Sequence, residues 1–117
     1  MLASREGAHV AIADIDIESA KETEALIKKE GGKAFAVYVD TSLKEEVLMM
    51  TKELMKNFSK IDGLVCCAIK LVPGKLEELP EEDWDMVMNI GLKGYFLCAQ
   101  SVGTKMISEG KGSIVFV

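Results

Sequence analysis

Short apolar segments alternate with longer amphipathic ones along the chain, and this alternation restricts the fold more than any other feature. The apolar segments are 8–14, 33–40, 61–69 and 113–117, and each has the length of a single strand. Strands that are apolar almost throughout are typical of a parallel sheet covered on both faces by crossover helices. The sequence therefore predicts one α/β domain over residues 1–117, with about four strands and three main helices.

The first two helices are predicted from their end signals. Segment 16–32 begins with Asp16, a candidate N-cap, and carries acidic residues early and lysines late. The next helix is predicted to open with a capping box formed by Ser42 and Glu45.

The third helix is predicted over 80–109, with Pro80 at or near its first turn. One apolar stripe runs along it, and this stripe is wide enough to serve both a core and a partner surface, although a core role alone is favoured. Its members are Trp84, Val87, Met88, Gly91, Leu92, Tyr95, Ala99, Val102 and Met106.

Composition excludes several classes of function. The net charge of the 117 residues is −5 and there is no Lys/Arg-rich run, which argues against a nucleic-acid or anionic-membrane binder. No apolar stretch reaches the roughly 18 residues of a membrane span, and no secretory signal is visible. The sequence has three cysteines, and this odd and small number is typical of proteins in a reducing compartment and not of a disulfide framework. We therefore expect a cytoplasmic protein.

The adjacent cysteines Cys66 and Cys67 raise the question of a metal or disulfide site. Neighbouring strand residues point to opposite faces, so these two thiols are poorly placed to hold one metal ion. The third cysteine is Cys98, and the only histidine is His9, in a different strand. We therefore expect no metal site, and strand packing is the favoured role for the pair.

Ligands of parallel α/β folds bind beyond the carboxyl ends of the strands. Asp14 and Asp40 close the first two predicted strands, and Cys67, Ala68 and Ile69 close the third. The sequence thus predicts a possible binding site at this edge of the sheet.

The order of motifs resembles the short-chain dehydrogenase/reductase family. The matching pieces are "EGAHVAIADID", "GGKAFAVYVDTS", "IDGLV" followed by an alanine, "EEDWDMVMNIGLKGYF" and "GSIVFV". The resemblance implies a partial Rossmann-like, doubly wound parallel sheet. It also implies an NAD(P)-dependent oxidoreductase that acts, in a complete protein, on a small alcohol or ketone.

The resemblance assigns cofactor roles to several residues. Asp14, followed by Ile15, matches the acidic residue that accepts hydrogen bonds from the adenosine ribose and favours NAD over NADP; the alternative is an aspartate that only ends a strand. Asp40 and Thr41 match the pair that contacts adenine, although they could equally serve the start of the next helix. Cys66 and Ala68 are expected to contact the cofactor as well.

Departures from the family pattern put activity in doubt. Cys66 and Cys67 stand where the family usually has two asparagines, and the glycine that follows the alanine is deleted or replaced by Ile69. Gly91 stands at the position of a catalytic asparagine. The glycine-rich turn, the catalytic serine and a Tyr-x-x-x-Lys motif do not occur in residues 1–117.

Two functions follow as expectations. In the first, the chain is part of an NAD(P)-dependent oxidoreductase, with no catalytic residue of its own and no activity in isolation. In the second, it is a non-enzymatic remnant or interaction domain that associates, for example as a homo-oligomer, through helix 80–109.

The family also suggests how the strands pair. We expect 8–14 to pair with 34–39 and 62–68 to pair with 113–117, all in parallel. In the family another strand lies between 8–14 and 62–68, and nothing in residues 1–8 resembles it. Those two strands either pair directly or leave an open slot; the open slot of a fragment is favoured.

Overall fold

A computed structural model describes residues 2–117 and contains, over these residues, the four strands and three main helices that the sequence predicts. In chain order the elements are α1 (Leu2–Arg5), β1 (His9–Asp14), α2 (Ile17–Lys29), β2 (Lys33–Tyr38), α3 (Lys44–Phe58), β3 (Gly63–Cys66), a 3₁₀ turn (Leu76–Glu78), α4 (Glu81–Met88), a π-helical segment (Asn89–Lys93), α5 (Gly94–Ser108) and β4 (Ser113–Phe116).

Both predicted strand pairs are confirmed. β1 pairs with β2 in parallel, with His9 opposite Lys33 at the start of the ladder. β3 pairs with β4 in parallel, with Gly63 opposite Ser113 and Cys66 opposite Phe116. The predicted third strand is shorter than expected, because Cys67 and the residues after it leave the ladder.

The two pairs form separate two-stranded sheets, and no ladder joins β1 to β3 within the part of the chain that the structure describes. The radius of gyration is 15.4 Å, whereas a compact domain of this length is expected near 13 Å. The open slot that the sequence favoured is therefore present, and the chain is more extended than a closed domain.

The apolar residues of the sheet and helices form two distinct buried groups. Val37 of β2 and Val47 of α3 belong to one cluster, which continues through Cys66 to α5. Ala20 and Ile27 of α2 are also buried but lie outside that cluster. Helices therefore cover both faces of the first sheet, as expected for a doubly wound arrangement.

The prediction that every strand is covered on both faces is wrong for the second sheet. All four residues of β4 are exposed, and Val65 of β3 is 63% exposed. The reason is that α5 packs against β3 and β4 from one side, while no described helix reaches the other side.

The helix starts agree with the sequence in one case and differ in the other. Asp16 caps α2, because its carboxylate accepts hydrogen bonds from the backbone N–H and the hydroxyl of Ser19. The predicted capping box of Ser42 and Glu45 is wrong. α3 begins at Lys44 after an N-cap residue that makes no side-chain cap bond, and Ser42 instead donates to Asp40.

The third helix is interrupted by the π-helical segment Asn89–Lys93, which the sequence did not predict. A π turn inserts an extra residue into the helix, so a stripe counted at a uniform period drifts off the buried face. Leu92 of the predicted stripe, which lies within the π-helical segment, is accordingly 66% exposed, and Trp84 in the preceding α4 is 52% exposed. The residues that α5 buries are Gly94, Leu97, Cys98, Val102 and Met106.

Candidate functional site

The carboxyl ends of β1 and β2 lie side by side and bring two of the predicted site residues to one edge. Asp14 is the last residue of β1, and its carbonyl accepts a hydrogen bond of 3.0 Å from the N–H of Val39. Asp40 follows directly. Because the ladder extends to Val39, the backbone positions of Asp14 and Asp40 are fixed relative to each other.

The Asp14 side chain is exposed at this edge and is only partly engaged. Its Oδ1 atom accepts a hydrogen bond of 3.0 Å from the N–H of Asp16, which shapes the turn into α2. Its Oδ2 atom has no hydrogen-bond partner among the described residues. Ile15, between the two aspartates, is 59% exposed, so the edge offers a free carboxylate oxygen beside an apolar side chain.

The Asp40 carboxylate is engaged by its own loop. Its Oδ1 atom accepts from both the N–H and the hydroxyl of Ser42, at 2.9 and 2.6 Å. The N–H of Asp40 donates in turn to the Glu46 carboxylate at 2.7 Å. These contacts support a role for Asp40 at the start of α3, which is one of the two roles that the sequence left open.

Thr41 is positioned by the first residue of α5. A Cβ atom built on Gly94 would lie 2.9 Å from Thr41 Oγ1 and 3.3 Å from the Thr41 carbonyl oxygen. Only a residue without a side chain allows the helix to approach the loop this closely. The contact was not visible in the sequence, since Gly94 and Thr41 are far apart along the chain.

Cys66 and Ala68 occupy different environments at the end of β3. Cys66 is 6% exposed and its thiol faces the core, while Cys67 and Ala68 are exposed beyond the strand. The backbone carbonyl of Cys66 accepts from Val117 at 3.0 Å. A ligand at this edge would therefore meet Ala68 and Cys67 before the Cys66 side chain.

The thiol environment of Cys66 is apolar. Burial raises the pKa of the Cys66 thiol. Burial also raises the pKa of the Cys98 thiol on α5, to about 12. Both thiols are thus mostly protonated near neutral pH, so neither is an activated nucleophile.

Tyr95 holds the end of β4 against α5. Its hydroxyl donates to the carbonyl of Val117 at 2.8 Å, and its ring stacks on Phe116 with a centroid distance of 5.3 Å. Burial raises the pKa of Tyr95. The sequence position of Tyr95 fits no catalytic motif, and its contacts with Val117 and Phe116 support a structural role.

Gly91 lies within the π-helical segment. A Cβ atom at Gly91 would meet nothing within 4 Å, so a larger side chain has room there. The position that the family resemblance gives to a catalytic asparagine is therefore sterically open.

Other kinds of site are not found at this edge. Over residues 2–117, no three His, Cys, Asp or Glu side chains are grouped so that they could hold a metal ion. No helix in the same range is long and apolar enough to cross a membrane. Two concavities, of about 270 and 520 Å³, lie instead between α3 and α5 and share Leu48, Ser101 and Lys105.

The edge fits one half of a dinucleotide. The free Asp14 oxygen can accept hydrogen bonds from two ribose hydroxyls, and the exposed Ile15 can contact a flat aromatic ring. The described residues include no glycine-rich turn that would bring backbone amides to a pyrophosphate. The residues present therefore fit the adenosine part of the cofactor only.

Comparison with known proteins identifies the family of this chain. The sequence model of the short chain dehydrogenase family matches residues 1–117. An NAD-dependent glycerol dehydrogenase from Listeria innocua is 40% identical over 114 residues, which are 97% of this chain and 44% of that protein. The chain thus spans about half the length of the curated relatives that it matches.

Solved structures have the same fold. The crystal structure of gox2181 superposes with a TM-score of 0.95 and 29% identity, over 97% of this chain and 45% of the other. A metagenomic short-chain oxidoreductase in complex with NADP superposes with a TM-score of 0.89 at 23% identity, over 97% of this chain and 52% of the other. The chain therefore belongs to the short-chain dehydrogenase family.

Proposed function

We propose that this chain is the adenosine-binding part of an NAD-dependent oxidoreductase that interconverts a small alcohol and a ketone. The observation that carries the proposal is the exposed Asp14 carboxylate at the carboxyl end of β1, whose Oδ2 atom has no hydrogen-bond partner in residues 2–117. The cofactor, when bound, exchanges a hydride with the substrate. The residues of this chain bind and orient the adenosine end and supply no acid or base to the reaction.

The preference for NAD rests on charge. A carboxylate beside a ribose 2′-phosphate would place two negative charges a few ångströms apart, whereas a 2′-hydroxyl would donate to the same oxygen. The Listeria innocua relative is named as NAD-dependent, which supports this choice. The metagenomic neighbour is in complex with NADP, so the shared fold by itself does not select NAD, and the proposal assigns that choice to the side chain at position 14.

A cytoplasmic location is part of the same proposal. All three cysteines are free thiols, and such sparse, unpaired cysteines are usual in a reducing compartment.

The test is an NMR titration of the isotopically labelled 117-residue chain with adenosine 5′-phosphate, and separately with adenosine 2′,5′-bisphosphate. We expect the amide signals of residues 14–16 and 40–41 to shift with the first ligand and far less with the second. The matched control is Asp14→Asn, which should reduce the difference between the two ligands. Shifts confined to the concavity between α3 and α5, or equal responses to both ligands, would contradict the proposal.

A second candidate function is association with another copy through 80–109. Trp84, Leu92 and Phe96 are large apolar side chains on this helix, and they are 52%, 66% and 57% exposed. Exposed apolar residues concentrated on one element are typical of a protein interface.

Light scattering during size-exclusion chromatography tests the association. The wild-type chain should show a mass that rises toward that of a dimer with concentration, and Leu92→Glu should return it to a monomer. Leu71→Glu is the matched control, because Leu71 is 75% exposed in a loop outside this helix. A wild-type mass that stays monomeric at every concentration excludes this function.

A further inference from the structure

Two of the three thiols meet inside the protein. Cys66 ends β3 and Cys98 lies in the middle of α5, and each is only 6% exposed. They belong to the same cluster of buried residues, and each thiol shifts the pKa of the other. A strand and a helix that are distant in sequence thus bring two thiols close together where α5 packs against β3.

The residues around Cys66 and Cys98 support neither acid–base catalysis nor metal binding by these two thiols. Its buried neighbours are apolar side chains such as Val47, Leu54 and Leu97. No histidine, carboxylate or lysine of the described chain belongs to the cluster, so the pair has neither a general base nor further metal ligands. What remains is the chemistry that two adjacent thiols have with each other.

We infer that Cys66 and Cys98 form an intramolecular disulfide when the protein meets a peroxide, and that this bond fixes the carboxyl end of β3 to α5. The Cys66 thiolate attacks one peroxide oxygen, the O–O bond breaks, and Cys66 becomes a sulfenic acid. The Cys98 thiolate then attacks that sulfur and displaces hydroxide. Two thiol hydrogens leave in two molecules of water, the two sulfurs are oxidised, and the peroxide is reduced.

A small, uncharged oxidant suits this site because both sulfurs are buried. The raised pKa of both thiols lowers the fraction of thiolate at neutral pH, so the reaction is slow and speeds up as the pH rises. Disulfides of this kind in reducing compartments are usually transient and redox-sensing. The inference does not depend on cofactor binding, because it rests on the core contact alone.

Cys67 is the competing thiol, and it lies outside the buried cluster. It is exposed and follows the last residue of β3. Its own oxidation would give a sulfenic or higher acid, or a link between two copies of the chain.

The experiment treats the folded 117-residue chain with hydrogen peroxide, blocks the remaining thiols with iodoacetamide, and digests the product with trypsin under non-reducing conditions. Mass spectrometry should find the peptide 61–70 joined to the peptide 94–105, with the link lost on reduction. Cys66 and Cys67 share the first peptide, so Cys67→Ser assigns the link and should retain it. The oxidised protein should also unfold at a higher temperature than the reduced one, because the crosslink restricts the unfolded chain.

Three results would overturn the inference. The first is a link that is lost in Cys67→Ser, which would assign the bond to Cys67. The second is retention of the link in Cys66→Ser or Cys98→Ser. The third is alkylation of both Cys66 and Cys98 when the peroxide-treated chain is denatured before blocking. Because the wild-type and Cys67→Ser chains alone decide the matter, the test stands even if the two core variants fail to fold.

Discussion

The Oδ1 atom of Asp14 accepts a hydrogen bond of 3.0 Å from the main-chain N–H of Asp16. The residue that we propose to bind a ribose therefore also shapes the turn between β1 and α2. Any substitution of Asp14 acts on both roles, and the two can be separated by the choice of the new side chain.

Asparagine at position 14 keeps an oxygen that can accept from Asp16 but removes the negative charge. We expect Asp14→Asn to leave the melting temperature nearly unchanged and to reduce the preference for NAD over NADP in a complete protein by roughly tenfold. Asp14→Ala removes the acceptor as well, so it should also lower the melting temperature. Equal losses of affinity for the two cofactors in Asp14→Asn would exclude the proposed role.

The isolated 117-residue chain should show no dehydrogenase turnover. The sequence has no Tyr-x-x-x-Lys motif and has Gly91 at the family's asparagine position, so no group is placed to exchange a proton with an alcohol. The measurement is NADH formation with a panel of alcohols and NADH consumption with a panel of ketones. A rate above the protein-free control in either direction would contradict the prediction.

Gly94→Ala should destabilise the chain, whereas Gly91→Ala should not. The added methyl group at Gly94 would lie 2.9 Å from Thr41 Oγ1, while the one at Gly91 meets nothing within 4 Å. Overpacking of this kind costs about 1–3 kcal/mol, and alanine in an open helical position stabilises by up to about 1 kcal/mol. Chemical denaturation of both variants measures the difference in stability. Equal midpoints would show that Thr41 can move away from the added methyl group without loss of stability.

Ser59→Gly should stabilise the end of α3. Ser59 is the only non-glycine residue of the described chain with a positive φ, at 58°, and it lies in the left-handed conformation at the helix C-cap. Glycine adopts this conformation without the steric penalty of a Cβ atom. That penalty exceeds the cost of the extra conformational entropy that glycine gives the unfolded chain, so we expect the free energy of unfolding to rise by about 0.5–1 kcal/mol. Ser59→Ala keeps the Cβ and serves as the control, and a gain in that variant would argue against backbone strain as the cause.

Stability should fall in acid partly through Glu24. Its hydrogen bond with Lys28, and then the one from the N–H of Ala36 at 2.9 Å, lower the pKa of Glu24 below its ordinary value of 4.5. A carboxylate whose pKa is lowered in the folded state adds stability above its unfolded pKa, and this is lost as the pH falls through the folded value. Glu24→Gln should therefore lose stability at neutral pH and depend less on pH below 4.5.

Glu22→Gln is the control for this effect. Glu22 is exposed on the same helix, and its side chain makes no hydrogen bond or ion pair with another residue of the range 2–117. Its variant should follow the wild-type acid unfolding curve. A Glu24→Gln curve parallel to the wild type would show that the charge of the Glu24 carboxylate does not contribute to the acid sensitivity of the fold.

The parts of the fold that depend on local pattern could be predicted from the sequence. The four strands follow from short apolar runs. Asp16 is predictable as a helix cap because its side chain bonds to a residue only three positions later. The pairing of β1 with β2 and of β3 with β4 came from the family resemblance, since periodicity alone does not specify which strands are neighbours.

The parts that depend on tertiary contacts could not be predicted. The π-helical segment leaves no mark in the apolar period before it, so Leu92 was placed on the buried face and Leu97 was missed. Ser42 has the residue type of a helix cap, but its N–H and hydroxyl donate instead to the nearby Asp40 carboxylate. Cys66 and Cys98 meet only because α5 crosses β3, and nothing in the spacing of the two cysteines indicates that contact.

The open slot also determines how the chain behaves in a test tube. Among the described residues, the inner edges of β1 and β3 have no strand partner, and such edges pair readily with other extended backbones. We therefore expect a dilute sample to stay clear and a concentrated one to form a β-rich precipitate, which the net charge of −5 should delay and added salt should hasten by screening. A soluble extended peptide that occupies the slot would act on the purified chain as a solubiliser.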